Sequence, residues 1–194
     1  YQNHPRVKLL LQERPRGKGN AVRAGFAIAT GDFVLIQDAD LEYRLEDYDI
    51  LLEPLRRFEK AFVLGCRHPG GVRSWKMRHF DGQQSTSAVM NVGHVFFTVL
   101  FNLVYQQRLR DPFTMFKVFR RDCLSDLAFE CNRFDFDPEL AGKLIRRGYH
   151  PVEIGIHYTS RSFQEGKKVS FLRDPPTWVR AILKYRFADL DGGL

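Results

Sequence analysis

The chain has 194 residues, 44% hydrophobic and 27% charged, which suits one globular domain with a real core and excludes a disordered segment. Thirty Lys and Arg against 23 Asp and Glu leave a formal charge of +7, favouring a polyanionic partner: a nucleic acid, an anionic membrane surface or a phosphorylated substrate. Cys66, Cys123 and Cys131 are odd in number and form no CxxC pair, so neither a disulfide framework nor a zinc site is expected, and a reducing, cytosol-facing location fits.

No signal peptide is visible, and the chain opens at Tyr1 inside what reads as a folded pattern, so a fragment is expected. Residues 7–12 (VKLLLQ) are apolar enough for a first strand. A helix follows from GKGN, with Val22, Phe26 and Ala29 on one face and Gly31 placed to end it. Residues 33–37 form the next strand. Tyr48, Leu51, Leu52 and Leu55 mark a helix that Pro54 disturbs near its end, and residues 61–65 (AFVLG) are a third apolar run. This alternation predicts a mostly parallel sheet covered on both faces.

After Gly65 the character changes. Residues 66–84 carry four Arg or Lys, two His, three Gly and a single acid, and read as a basic loop. The most membrane-like stretch, residues 88–105, is interrupted by Asn91, His94 and Asn102, whereas a span needs about 20 predominantly apolar residues; it reads as an amphipathic helix. Residues 113–119 alternate as a strand. Residues 138–147 read as a helix with Asp137 as N-cap and Pro138 at its first position. A strand is expected over 150–158, and at 178–187 (WVRAILKYRF) an interfacial helix with Trp178, Ile182 and Tyr185 on one face.

Ligands of open α/β sheets bind at the carboxyl ends of the strands, where Asp38 and Asp40 fall. Two carboxylates one residue apart can converge on a hard divalent cation, and Glu42 extends the series to D-x-D-x-E. A capped turn with a solvated second acid is the plain alternative. Gly17-Lys18-Gly19 opens a helix and offers N–H groups to an anion, although a tight loop explains the glycines as well. Arg67 reaches the same rim, with Arg73, Lys76 and Arg78 on the adjoining loop; these are phosphate ligands or a solvated basic loop. Arg161 lies in a second basic segment, an anion clamp or an ordinary turn. Asp111 is a further carboxylate in a structured context, and Asp137 and Glu139 suit a helix N-terminus. The histidines show no metal-ligand spacing.

Taken in order, GKGNAVRAGFAIATGDFVLIQDADLEY, FVLGCR, RDPFTMFKVFRR and FDFDPELAGKLIRRGYHPVEIGIHYTSRSFQEGKK resemble the family-2 glycosyltransferases, in particular the dolichol-phosphate mannosyltransferases and bacterial polyprenyl-phosphate glycosyltransferases. The resemblance implies an α/β fold of GT-A type, a nucleotide-diphospho-sugar transferase with a mostly parallel central sheet. The GT-A domain is expected over 1–168, with 169–194 an amphipathic basic segment of the same domain. The family's first strand and acidic nucleoside-binding turn would precede Tyr1, so the domain is expected to be N-terminally incomplete.

The resemblance also implies roles. Asp38, Asp40 and Glu42 are expected to bind Mg²⁺ or Mn²⁺. Lys18, Asp38, Arg67 and Arg78 are expected at the donor or acceptor phosphates, and Asp40, Asp111 and Arg161 at the reaction, with the role of Asp111 open between structural and catalytic. The implied reaction is inverting transfer of a sugar from a nucleotide-sugar donor (GDP-mannose or a UDP-sugar) to a polyprenyl or dolichyl phosphate. The implied location is peripheral on the cytosolic face of a membrane. Transfer to a saccharide hydroxyl, with Asp111 as base, and a non-catalytic nucleotide-sugar-binding fragment are the alternatives. Nucleic acid is not an expected partner, because no RNP-like run or zinc-finger spacing accompanies the charge.

Overall fold

Four short strands form one sheet in the order β1-β3-β2-β4 in the computed structural model, which describes residues 4–68, 84–160 and 173–190. The strands are β1 (Phe33–Leu35), β2 (Phe62–Cys66), β3 (Lys117–Arg120) and β4 (Val152–Gly155). β2 and β4 are parallel, while β3 runs antiparallel between β1 and β2. The sheet is therefore mixed, not parallel throughout: β1, β2 and β4 share one direction and β3 opposes them. Consequently the carboxyl ends of three strands and the start of the fourth meet along one rim.

Five α-helices accompany the strands among the described residues: α1 (Lys18–Ile28), α2 (Tyr48–Arg56), α3 (Gln84–Tyr105), α4 (Phe136–Arg146) and α5 (Asp174–Phe187). α1 ends at Ile28, ahead of Gly31, and Pro54 lies inside α2 near its end, where it lacks the N–H that would bond the Ile50 carbonyl; the helix stops two residues later at Arg56. Phe62, Leu64, Phe101, Phe116, Phe119, Phe136, Leu140 and Leu144 form the fully buried centre between the sheet and α3, α4 and α5.

Three expectations fail. Residues 7–12 are not a strand: no described strand pairs with them, Leu9, Leu10 and Leu11 are exposed, and Lys8 and Gln12 tie the segment to α1 through Ile28 O, Thr30 Oγ1 and Asn20 Oδ1. The strand expected over 113–119 starts only at Lys117, because Thr114 N donates to Asp111 O and turns the chain just before it. The α5 face expected to meet a membrane faces inward: Ile182 and Tyr185 are buried, and the Trp178 ring lies 5.0 Å from Phe97.

α4 also departs from its forecast. It begins at Phe136, so Asp137 is inside it and not its cap. Every residue from Phe136 to Ile145 is buried, which obliges its charges to find partners. Lys117 Nζ donates to Asp137 Oδ1 at 3.0 Å, and Lys143 Nζ to Glu139 Oε1 at 2.7 Å. Glu139 further accepts from the backbone N–H groups of Glu130 and Cys131. Both acids do lie in the first turn of α4, as a helix N-terminus favours, and each is in addition neutralised by a buried lysine.

Burial lowers the Lys117 pKa, and the Asp137 carboxylate opposes that shift. Removing one partner strands a buried charge, so Asp137→Ala is expected to cost about 3–5 kcal/mol in urea unfolding. The double change Lys117→Met with Asp137→Leu should recover most of that loss. A double variant as unstable as Asp137→Ala would show that packing, not charge pairing, sets the cost.

Candidate active site

The rim is built from four segments: 36–43 after β1, Arg67 and His68 after β2, 111–116 before β3, and 156–160 after β4. Sheet geometry alone brings them together, although they are far apart in sequence.

Asp38 lies on this rim with about a third of its side chain exposed, and Lys18 Nζ from the first turn of α1 donates to its Oδ2 at 3.0 Å. Lys18 therefore reaches the acid run itself. Asp40 Oδ1 accepts from the Glu42 backbone N–H at 3.2 Å, closing a tight turn around Leu41. Leu41 has φ 60° and is 90% exposed, a left-handed conformation that costs a non-glycine residue about 1–2 kcal/mol. Glu42 Oε2 accepts from the Tyr158 hydroxyl at 3.0 Å, and Glu42 O accepts from Thr159 N at 2.9 Å. The acid turn is thus held to the segment after β4.

Behind the turn is a buried ion pair. Arg67 donates to Asp111 three times: from its backbone N at 3.0 Å, from Nε at 2.7 Å and from Nη2 at 2.7 Å. Asp111 is fully buried and Arg67 only 6% exposed. Burial works to raise the Asp111 pKa, but the Arg67 charge and hydrogen bonds, with His94 nearby, hold it well below the usual carboxylate range. The Arg67 guanidinium also stacks over the Tyr158 ring at 5.3 Å. Tyr158 therefore touches the acid turn with its hydroxyl and the ion pair with its face.

Two histidines complete the inner wall. His94 Nε2, from the inner face of α3, is 3.7 Å from Asp111 Oδ1 and 3.3 Å from His68 Nε2. Tyr43 stacks on Phe116 at 4.4 Å and accepts from Met115 N, and burial pushes its hydroxyl pKa up. Burial likewise raises the Cys66 thiol to about 11, so this cysteine is not a thiolate nucleophile at neutral pH.

Of the residues singled out from sequence, Lys18, Asp38, Asp40, Glu42, Arg67 and Asp111 do meet on this rim. Arg73, Lys76, Arg78 and Arg161 lie outside the described residues. Asp38, Asp40 and Glu42 have the oxygen donors a hard divalent cation takes, but no three His, Cys, Asp or Glu side chains converge on a metal position among the described residues. Asp111 is not poised as a base, being buried, ionised and held by Arg67. Arg67 spends its guanidinium on Asp111, which makes it an anchor before it is a phosphate ligand. Tyr43, Tyr158, His68 and His94 are not foreseen from the motifs. One signal is available for His94: with Ser87, Asn91 and Thr98 it recurs at three- and four-residue spacing, marking a polar face on an otherwise apolar helix.

Residues 1–128 match the model of Glycosyl transferase family 2, and the chain belongs to that family. Curated relatives in Trichomonas vaginalis include dolichyl-phosphate beta-glucosyltransferase ALG5D, 28% identical over 191 residues (95% of this chain, 56% of the relative). Dolichyl-phosphate beta-glucosyltransferase ALG5C is 26% identical over 166 residues (80% of this chain, 45% of the relative). The chain spans about half the length of these relatives. Among solved structures, it resembles glucosyl-3-phosphoglycerate synthase from Mycobacterium tuberculosis bound to phosphoglyceric acid, with a TM-score of 0.60 at 18% identity over 90% of this chain and 56% of that one. The same enzyme with Mn²⁺, UDP-glucose and phosphoglyceric acid gives 0.58 at 19% identity, covering 91% and 56%. The fold is the GT-A glycosyltransferase fold.

The Asp111 shift fixes a pH dependence. Its folded pKa lies below the ordinary 3.8, so its stabilisation is complete above that value and is lost as pH falls through the depressed one. Asp111→Asn is expected to lower stability by about 3–5 kcal/mol near neutrality. Urea unfolding from about pH 7 to about pH 2 should show this gap closing only at the acid end. A gap that is constant with pH would mean that the ion pair is not its source.

Proposed function

We propose that this chain is the donor-handling part of an inverting hexosyltransferase that moves a sugar from a nucleotide sugar to a polyprenyl or dolichyl phosphate. The observation that carries the reading is the rim itself. In a chain of this family, an acid turn and a lysine at the carboxyl end of β1 are locked to a buried arginine–aspartate pair at the end of β2. Glucose is the favoured sugar and UDP-glucose the favoured donor, because the curated relatives are named as beta-glucosyltransferases and the neighbouring fold is seen with UDP-glucose. GDP-mannose is the alternative donor.

In the reaction, an acceptor phosphate oxygen attacks the anomeric carbon while the bond to the nucleoside diphosphate breaks on the opposite face. An α-linked donor then yields a β-linked product, in keeping with the relatives' names. The acceptor oxygen is already ionised near pH 7, so the site needs no strong general base, which suits a rim whose buried aspartate is held by arginine. Asp40 and Glu42, with Asp38, are the residues that would hold Mg²⁺ or Mn²⁺, although their side chains do not converge on one position here, and an ion bound there would supply positive charge against the departing diphosphate. Lys18 places an ammonium on Asp38, and Asp111 acts by fixing Arg67. Arg78 and Arg161 are proposed as phosphate ligands from sequence. The acceptor class puts the reaction at a membrane, on the cytosolic face.

Transfer to a saccharide hydroxyl is the weaker reading, because the carboxylate it requires as base has no exposed surface. A donor panel of radiolabelled UDP-glucose and GDP-mannose, assayed with polyprenyl phosphate and Mn²⁺, tests the proposal. Asp40→Ala is expected to lower turnover at least about 100-fold. Product on hydroxyl acceptors only would overturn the acceptor class, and full activity of Asp40→Ala would overturn the role of the acid turn.

A further inference from the structure

α3 is built inside out. Its 22 residues contain no Asp, Glu, Lys or Arg. The side facing the protein carries Ser87, Asn91, His94 and Thr98, all buried, beside Phe97, Phe101 and Tyr105. The opposite side is apolar and open: Val89 is 60% exposed, Val92 59%, Val95 39%, Phe96 58%, Val99 51% and Leu103 73%. At 100° per residue these six and exposed Ala88 fill one arc of about 120°, and the run from 88 to 103 is about 23 Å long. A helix facing water has the reverse pattern.

α5 packs beside α3 and carries exposed Leu183 and Phe187 of its own. Arg186 Nε donates to Val104 O at the end of α3, and its guanidinium lies 5.8 Å from the Phe187 ring centroid. Exposed Arg108 follows α3 three residues on. The apolar arc thus has cations at one end and none of its own charges to hold it off an apolar medium.

We infer that the outer face of α3, with Leu183 and Phe187, lies in the headgroup–acyl boundary of an anionic bilayer, the helix parallel to the membrane plane. Spanning is excluded for α3 as it stands here, because its inner face is committed to the core. A second copy of the chain fits less well. A coiled-coil seam is narrower than this arc and is flanked by paired charges, which α3 lacks. A bilayer accepts a broad uncharged face, and basic residues at its edge gain from anionic lipid. The choice of a bilayer rests on the lipid-phosphate reading above, but the surface is defined by α3 alone.

The geometry connects the surface to the site. His94, on the inner face of α3, is 3.7 Å from Asp111, so the proposed lipid-facing side is one helix diameter, about 10 Å, from the rim.

The test uses the whole chain and its Phe96→Glu, Val99→Glu double variant in flotation with vesicles of phosphatidylcholine containing about 30% phosphatidylglycerol. Both positions are exposed, and circular dichroism checks that the variant folds. Wild type should float with the vesicles, more weakly at high salt, and the double variant should partition at least about tenfold less. Val92→Glu serves as an independent second variant. Wild type that stays with the aqueous fraction, or variants that float as well as wild type, would overturn the assignment. So would a wild-type dimer in sedimentation that the charges dissolve, which would give the face to a second copy. Because flotation involves no acceptor or donor, a protein that floats yet glycosylates only hydroxyl acceptors refutes the proposed function and leaves this surface standing.

Discussion

The arginine–aspartate pair at the end of β2 is the constraint on which the rim depends. Arg67 closes three hydrogen bonds on Asp111, one of them from the backbone, and so pins the end of β2 to the turn that starts β3. Glu153 of β4 accepts from the backbone N–H groups of Arg110 and Asp111 and fixes that turn from the other side. A buried ion pair of this kind adds little net stability over a well-packed apolar one, since desolvation offsets most of the attraction. Its consequence here is geometric: three strand ends are held in one register with a planar guanidinium between them.

That guanidinium extends the constraint to the acids. Tyr158 lies under it, packs with its ring tilted against Tyr43 at 5.3 Å and gives its hydroxyl to Glu42. The strained Leu41 turn is therefore clamped from behind, where the Tyr43–Tyr158 bridge and the Thr159 N–H hold its ends. Backbone strain of this size persists only where the surroundings over-determine it. Lys18 offsets part of the repulsion within the acid run by donating to Asp38. The acid turn has to hold its own negative charges in place, and here one lysine bonds Asp38 while one tyrosine bonds Glu42.

Much of this is legible in the sequence, for physical reasons that also explain what is not. α1, β1, α2 and β2 follow from apolar periodicity, and the placement of Asp38, Asp40 and Arg67 on a common rim follows from strand ends in an α/β sheet. Composition does not encode strand direction, so β3 cannot be distinguished from its parallel neighbours by pattern. Residues 7–12 have a strand's composition, but a strand also needs a neighbour to hydrogen-bond, and none of the described strands supplies one. Asp137 has the sequence position of a cap, yet it pairs with a lysine 20 residues away in the chain. Long-range charge pairing leaves no local signature. The same holds for Asp111, whose burial is the fact that turns a candidate base into an anchor.

The helices α3 and α5 show how far a hydrophobic pattern can mislead when read without its orientation. Periodicity gives the apolar face of α5 correctly, but that face packs on Phe97 and Phe113 instead of on lipid. α3 passes the length and hydropathy test for a membrane span, yet its inner face is part of the core. Its polar residues point inward because the inner face borders the site, where His94 abuts the buried aspartate and Asn91, Ser87 and Thr98 share the same side of the helix. With the polar side committed to the site, the apolar side is what remains for the surroundings. A helix seated about 5–10 Å into the headgroup boundary, as inferred for α3, would hold the rim near the level of the lipid phosphates.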